Sequence, residues 1–309
     1  MEEKNIYADL GKRILISSVF AIFGSYAFSL LLFLYPMWYL KSSVKNGIVP
    51  TVIAMAISAV LISLGTSYMM GLTLFFTFVP MLLAFHYCVD TKKNYLFTLA
   101  AMSLALFASA IALEFGQLSA MGGVDLTKVI DDLVNVQISS LGEGMTSLEL
   151  SRIEDTLRSV YMLITRIMPG ILAVICIIAS YINYLLAGRQ LLREGVVINQ
   201  PPLFFNIQVP RSIMAFSGAA IVTVLALMLI NADKTNIFAE NLLVVFGFIF
   251  FANGLATLSN FMIRFGIPTF LRVLVYFVSL IFYQVGVLVI LLGLGDSMLN
   301  LRRIGVRKE

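Results

Sequence analysis

Charge is the scarcest resource in this 309-residue chain. Asp, Glu, Lys and Arg make up 12% of it, against about 25% in soluble domains, while 60% is hydrophobic and the mean hydropathy is +0.96. A soluble fold of this length needs far more polar side chains to cover its core. Histidine is nearly absent: His86 stands alone, which excludes a His-rich metal site. The two cysteines, Cys88 and Cys176, lie far apart in apolar runs, so neither a disulfide framework nor metal-ligand spacing can be drawn. Walker A, HExxH and GxSxG patterns are missing, which removes P-loop hydrolases, zincins and nucleophile-elbow enzymes. A catalytic triad is open only to His86, and its neighbours Phe85, Tyr87 and Cys88 place it at a span end, where an interfacial histidine is ordinary. No enzyme activity and no cofactor are expected. The net charge of +4 reads as basic loops near anionic lipid, without a nucleic-acid partner. A polar, mixed-charge start (Met1 to Arg13) and a long first apolar run argue against a cleaved signal peptide.

What the chain does have is long apolar runs. A spanning helix takes about 20 such residues, and the runs predict an all-α, polytopic transmembrane helical bundle of about eight spans. They lie at 14–35 (ending at Pro36), 50–66, 69–88, 95–116, 168–187, 212–230, 238–263 and 270–294. The stretch 50–88 also admits one span plus a re-entrant segment. Residues 118–166 carry seven acidic and four basic side chains, too many for a membrane segment. Asp125 is an N-cap candidate, and Thr146 and Glu149 have capping-box spacing. Leu150, Ile153, Leu157, Val160, Tyr161 and Ile164 then recur at helical period. An amphipathic pair of helices joined by Gly142-Glu143-Gly144 is expected between spans four and five, leading into span five through Pro169 and Gly170. The chain therefore divides into an N-terminal bundle (1–117), the insert (118–166) and a C-terminal bundle with a basic tail (167–309). With cytoplasmic termini, eight Lys/Arg fall in short inside segments and nine in outside loops, nearly a tie. The tail, with Arg302, Arg303, Arg307 and Lys308, tips the balance toward cytoplasmic termini.

Polar side chains inside spans are expensive unless paired or facing a cavity. Glu114 near the end of span four is a ligand contact or, more simply, a boundary carboxylate reaching water. Asn183, Asn253, Asn260 and Gln284 are amides at membrane depth. Asn253 and Asn260 are seven residues apart on one helix face with Gly247, which makes that face either a packing seam or a cavity wall. Glu114, Asn253, Asn260 and Gln284 are the candidate ligand-binding residues; no metal site is expected.

The ordered set Asn241-Leu242-Leu243, Phe251-Ala252-Asn253-Gly254-Leu255-Ala256, Gly293-Leu294-Gly295-Asp296 and Asn300-Leu301-Arg302-Arg303 spans roughly residues 205 to 303. It resembles the YybS-like family of bacterial membrane proteins. That resemblance implies a fold similar to the S components of energy-coupling-factor transporters, which capture vitamins and metal ions, and kinship with membrane proteins of rod-shape morphogenesis. The chain departs from an S component in having more than the usual six spans and in its amphipathic insert. Within the motif, Asp296 ends an apolar run with Arg302 and Arg303 just beyond, so it is expected to pair with one of them or to cap a backbone. Asn241 is the polar start of span seven, and Gly254 and Asn300 are structural. The expected role is binding, and even translocation, of a small molecule in a multi-pass protein of the bacterial cytoplasmic membrane. Its partners would be membrane lipids and an ATPase with a coupling subunit. The alternative is a scaffold for envelope or cell-shape proteins.

Overall fold

The structure, a computed structural model, describes residues 2–120, 126–141, 147–230 and 232–302. All regular elements among them are helical. The chain forms two compact units, residues 1–124 with 175–201 and residues 125–174 with 202–309. The division cuts through the middle of one long helix.

In the first unit, α1 (Glu2–Ala27) stops short of the expected end of span one. Phe28 turns extended at φ −161, and a 3-10 helix (Ser29–Leu34) and α2 (Met37–Asn46) carry the chain back along α1. The return is antiparallel throughout. Leu31 packs on Gly24, the Phe20 and Trp38 rings meet edge to face at 4.9 Å, and Arg13 donates to the Trp38 carbonyl at 2.9 Å. Further along, Asn46 donates to Asp9 at 3.3 Å. Helix α3 (Ile48–Gly65) then runs parallel to α1, with Ser58 against Ser18 at 2.8 Å and Tyr26 reaching the Gly65 carbonyl at 3.3 Å.

Ser67 caps α4 (Tyr68–Asp90) by accepting the Met70 N–H. Gly71 lets α4 cross close on α3: a Cβ there would lie 2.2 Å from the Ala59 carbonyl oxygen, closer than any side chain allows. The stretch 50–88 thus forms two spans. Asn94 caps α5 (Tyr95–Ala120), and Ser109 ties it to α4 through the Thr77 carbonyl at 2.8 Å. Residues 175–193 of α7 (Ser147–Arg193) complete the unit, where Asn183 donates to the Phe33 carbonyl and the Tyr184 and Phe85 rings meet edge to face.

In the second unit, α6 (Leu126–Leu141) meets the first half of α7 through Arg158, which pairs with Asp131 at 3.1 Å. The expected glycine turn at 142–144 and the caps at Asp125 and Thr146 lie outside the described residues. The insert leads into span five through Pro169, as expected, and does so without interruption: α7 is one helix of 47 residues. Asn241 provides a reason. Its amide accepts the Gly170 N–H at 2.5 Å and donates to the Arg166 carbonyl at 2.8 Å, satisfying the backbone pair next to the proline. Asn241 is therefore more than a polar start to a span.

Helices α8 (Arg211–Ile230), α9 (Ala232–Arg264), α10 (Thr269–Ile281) and α11 (Tyr283–Leu299) finish the unit around Val209, Phe246 and Phe250. The expected last span, 270–294, is not continuous: α10 and α11 meet at Phe282 with a bend of 107°. Among the described residues, six helices are long and apolar enough to cross a membrane, or seven if the bent pair is one span. The α8 region adds the shorter apolar stretch Arg211–Val224, in keeping with an all-α, polytopic bundle.

Candidate functional site

The second unit is organised by the crossing of α9 and α11. Two glycines let the backbones touch. A Cβ on Gly254 would lie 1.9 Å from the Val289 carbonyl oxygen, and one on Gly293 equally close to that of Phe250. Small residues at a crossing are how membrane helices gain van der Waals contact without a hydrophobic driving force.

One turn further, this seam encloses a set of polar groups. Asp296 and Arg302 have no solvent exposure and pair at 2.7 Å. Asp296 Oδ2 accepts from both Nε (3.0 Å) and Nη2 of Arg302, and Oδ1 accepts the Arg302 backbone N–H at 3.2 Å. The guanidinium also donates to the Asn253 side-chain oxygen at 2.9 Å and to the Phe205 carbonyl at 3.2 Å. Asn253 is itself saturated: it donates to the Gly293 carbonyl and to Ser297, and its oxygen also accepts the Val209 N–H. The chain can fold back onto the seam because Asn300 takes the left-handed conformation (φ 48) that ends α11, its side-chain oxygen held by Gln208 at 2.9 Å. A dehydrated ion pair repays its desolvation only when its remaining hydrogen-bonding positions are filled. Here the Asn253 side chain, the Phe205 carbonyl and the Arg302 backbone N–H supply such partners.

Beside this closed seam lies an open feature. At the α10–α11 break, the last carbonyls of α10 and the first N–H groups of α11 lack helical partners, and the Phe282 side chain supplies no cap. The break borders a groove of about 380 Å³ between α9 and the bent pair. Gly247, Phe248 and Phe251 line one wall, and Ser279, Tyr283 and Gly286 the other. The surface is largely apolar, with the Tyr283 ring 79% exposed.

The four expected ligand residues are not brought together. Asn253 is consumed by the seam. Asn260 is partly buried, its side-chain oxygen without a partner. Gln284 is exposed on the first turn of α11, at the break. Glu114 is exposed near the end of α5, in the other unit. The break at Phe282 escaped the sequence reading because Leu280-Ile281-Phe282-Tyr283 contains no proline or glycine and reads as one apolar run. So did a buried hydroxyl cluster in the first unit, where Ser17 contacts Tyr39 at 2.6 Å and Ser58 at 3.2 Å. Its serines became significant only once α2 folded back on α1.

No curated protein and no solved structure matches this chain. A family model described as "Predicted membrane protein (DUF2232)" matches residues 14–297, covering nearly all the helices above and agreeing with the YybS-like motif set. The chain belongs to this family of polytopic membrane proteins.

Proposed function

We propose that this integral membrane protein binds a small, largely apolar molecule in the groove between α9 and the α10–α11 break. The observation that carries the reading is the break itself. Non-helical backbone at membrane depth persists where it lines a cavity or is buried in protein, and discontinuous helices form ligand sites in membrane transporters. The groove volume falls at the lower end of the range for small-molecule pockets, about 300–1,000 Å³, which are mostly apolar with few polar groups. Ser279 and Tyr283, which line the groove, would supply those polar groups, and the freed backbone of the break would orient the ligand. The role is binding without catalysis. Translocation would need a separate motor, since the sequence has no phosphate-cradling loop of its own.

A scaffold role for envelope or cell-shape proteins has one observation in its favour: Asn253, the most deeply buried of the expected ligand amides in this unit, is spent on packing.

The test is extraction and mass spectrometry of small molecules retained by the protein purified from its host membrane in mild detergent. A Cβ at Gly247 or at Gly218 meets nothing within 4 Å, so a side chain can be introduced at either without a backbone clash at its first carbon. A specific compound retained by the wild type and by Gly218→Trp, but lost from Gly247→Trp, is expected. Equal retention by both variants would overturn the reading. Recovery of envelope proteins with no retained compound would favour the scaffold.

A further inference from the structure

The fold-back of α2 on α1 changes which loops share a side of the first unit. When the first span is taken as one helix ending at Pro36, Lys41 and Lys45 fall opposite the N-terminus. In the structure the chain crosses back before reaching them. Arg13 bonds to Trp38 and Asp9 to Asn46, so the start of α1 and the end of α2 lie at one end of the unit.

The other connections converge on that same end. Glu194, just past α7, pairs with both Lys41 and Lys45. Asn199 donates to the carbonyls of Lys92 and Lys93 in the α4–α5 turn, at 3.5 and 3.0 Å. Arg189 and Arg193 stand exposed on the last turns of α7. With Lys12 and Arg13 on α1 and Lys4 earlier in the same helix, the nine Lys and Arg positions of the unit all belong to segments at this end. The opposite end holds the close of α1, the Gly65-Thr66-Ser67 turn and the last membrane-length turns of α5; among the described residues there, Glu114 is the one charged side chain.

We infer that the basic end of the first unit is its cytoplasmic face, seated against the anionic headgroups of the cytoplasmic leaflet. Lys and Arg in short loops near span ends set the orientation of a membrane protein, and acidic residues contribute little. A division of nine basic residues against none is decisive where the eight-span reading gave near equality. Each basic side chain near the surface gains further from the negative potential of that leaflet, within about a Debye length. The N-terminus, the α2–α3 and α4–α5 turns and the segment after α7 are thereby all cytoplasmic.

Single cysteines read by a membrane-impermeant maleimide test this directly. Cys88 and Cys176 are buried and would first be replaced by Ala. Thr91→Cys and Val197→Cys mark the basic end at exposed positions, and Ser67→Cys and Tyr68→Cys mark the other. In intact cells, labelling of the Ser67 and Tyr68 variants is expected to exceed that of the Thr91 and Val197 variants by about tenfold or more, with the difference lost on permeabilisation. Labelling of Thr91→Cys and Val197→Cys in intact cells, or a split between those two positions, would overturn the inference.

Discussion

The two units bury polar groups in opposite ways. In the first, Ser17, Ser18, Ser58 and Tyr39 form a neutral network of hydroxyls spanning α1, α2 and α3. In the second, a fully dehydrated Asp296–Arg302 pair is held by Asn253, Phe205 and the turn after α11. A hydroxyl can donate, accept and rotate to suit its neighbours, so the network can re-pair around a lost member. An ion cannot adapt in that way, and its site must be completed from several segments at once. The neutral network joins helices that are already adjacent. The ionic clasp fixes a long-range arrangement, bringing residues 205, 253, 296 and 302 into register.

This contrast orders the consequences of mutation. Asp296→Ala strands a buried guanidinium and is expected to cost about 3–5 kcal/mol of unfolding free energy in detergent. Replacing both partners, Asp296→Ala with Arg302→Met, should cost much less than the sum of the singles, because no unpaired charge remains. Additive losses would show that the ion pair is not the unit of the clasp. Gly293→Ala, which drives a Cβ into the Phe250 carbonyl, should cost about 1–3 kcal/mol or more by the same assay. Ser58→Ala removes two hydroxyl contacts and should cost about 1 kcal/mol. A loss as large as that of Asp296→Ala would erase the distinction between the two units.

The smallest effect belongs to the surface. Hydrogen bonding from Lys41, with the charges of Lys41 and Lys45, holds the Glu194 carboxyl below its ordinary range despite the opposing cost of partial burial. A lowered folded value means the contribution is present above the unfolded value of about 4.3 and is lost as pH falls through the folded one. Glu194→Gln should therefore cost under about 1 kcal/mol at pH 7. It should also flatten the acid limb of a stability profile taken from pH 7 to pH 3.

How much of this could be read from the sequence follows from the same physics. A carboxylate closing an apolar run with arginines just beyond has to find a partner, so Asp296 stood out in the sequence, as did the glycines at positions 247 and 254 of a membrane helix. The identity of its other partners did not, because Phe205 and Asn253 reach Arg302 only through tertiary folding. That the insert and span five are one helix through Pro169 was not legible, because the amide that bridges the backbone there comes from Asn241, 71 positions away from Gly170. Phe282 misled the reading, since a bend with no proline or glycine leaves hydropathy unchanged. Helix existence is local, whereas helix ends inside a membrane depend on what the neighbours can satisfy.

Within the second unit the clasped seam and the open break sit on the same helix, α11, and this juxtaposition underlies the proposed function. Amide hydrogen exchange of the purified protein in detergent, followed by mass spectrometry, tests it most directly. The account predicts strong protection at Asn253–Ala256 and Val289–Gly293, with exchange at Tyr283–Val285 about a hundredfold faster or more. It further predicts that a small-molecule extract of the host membrane slows exchange at the break alone. Protection at Tyr283–Val285 equal to that of the seam with no ligand present, or no response of the break to the extract, would contradict it.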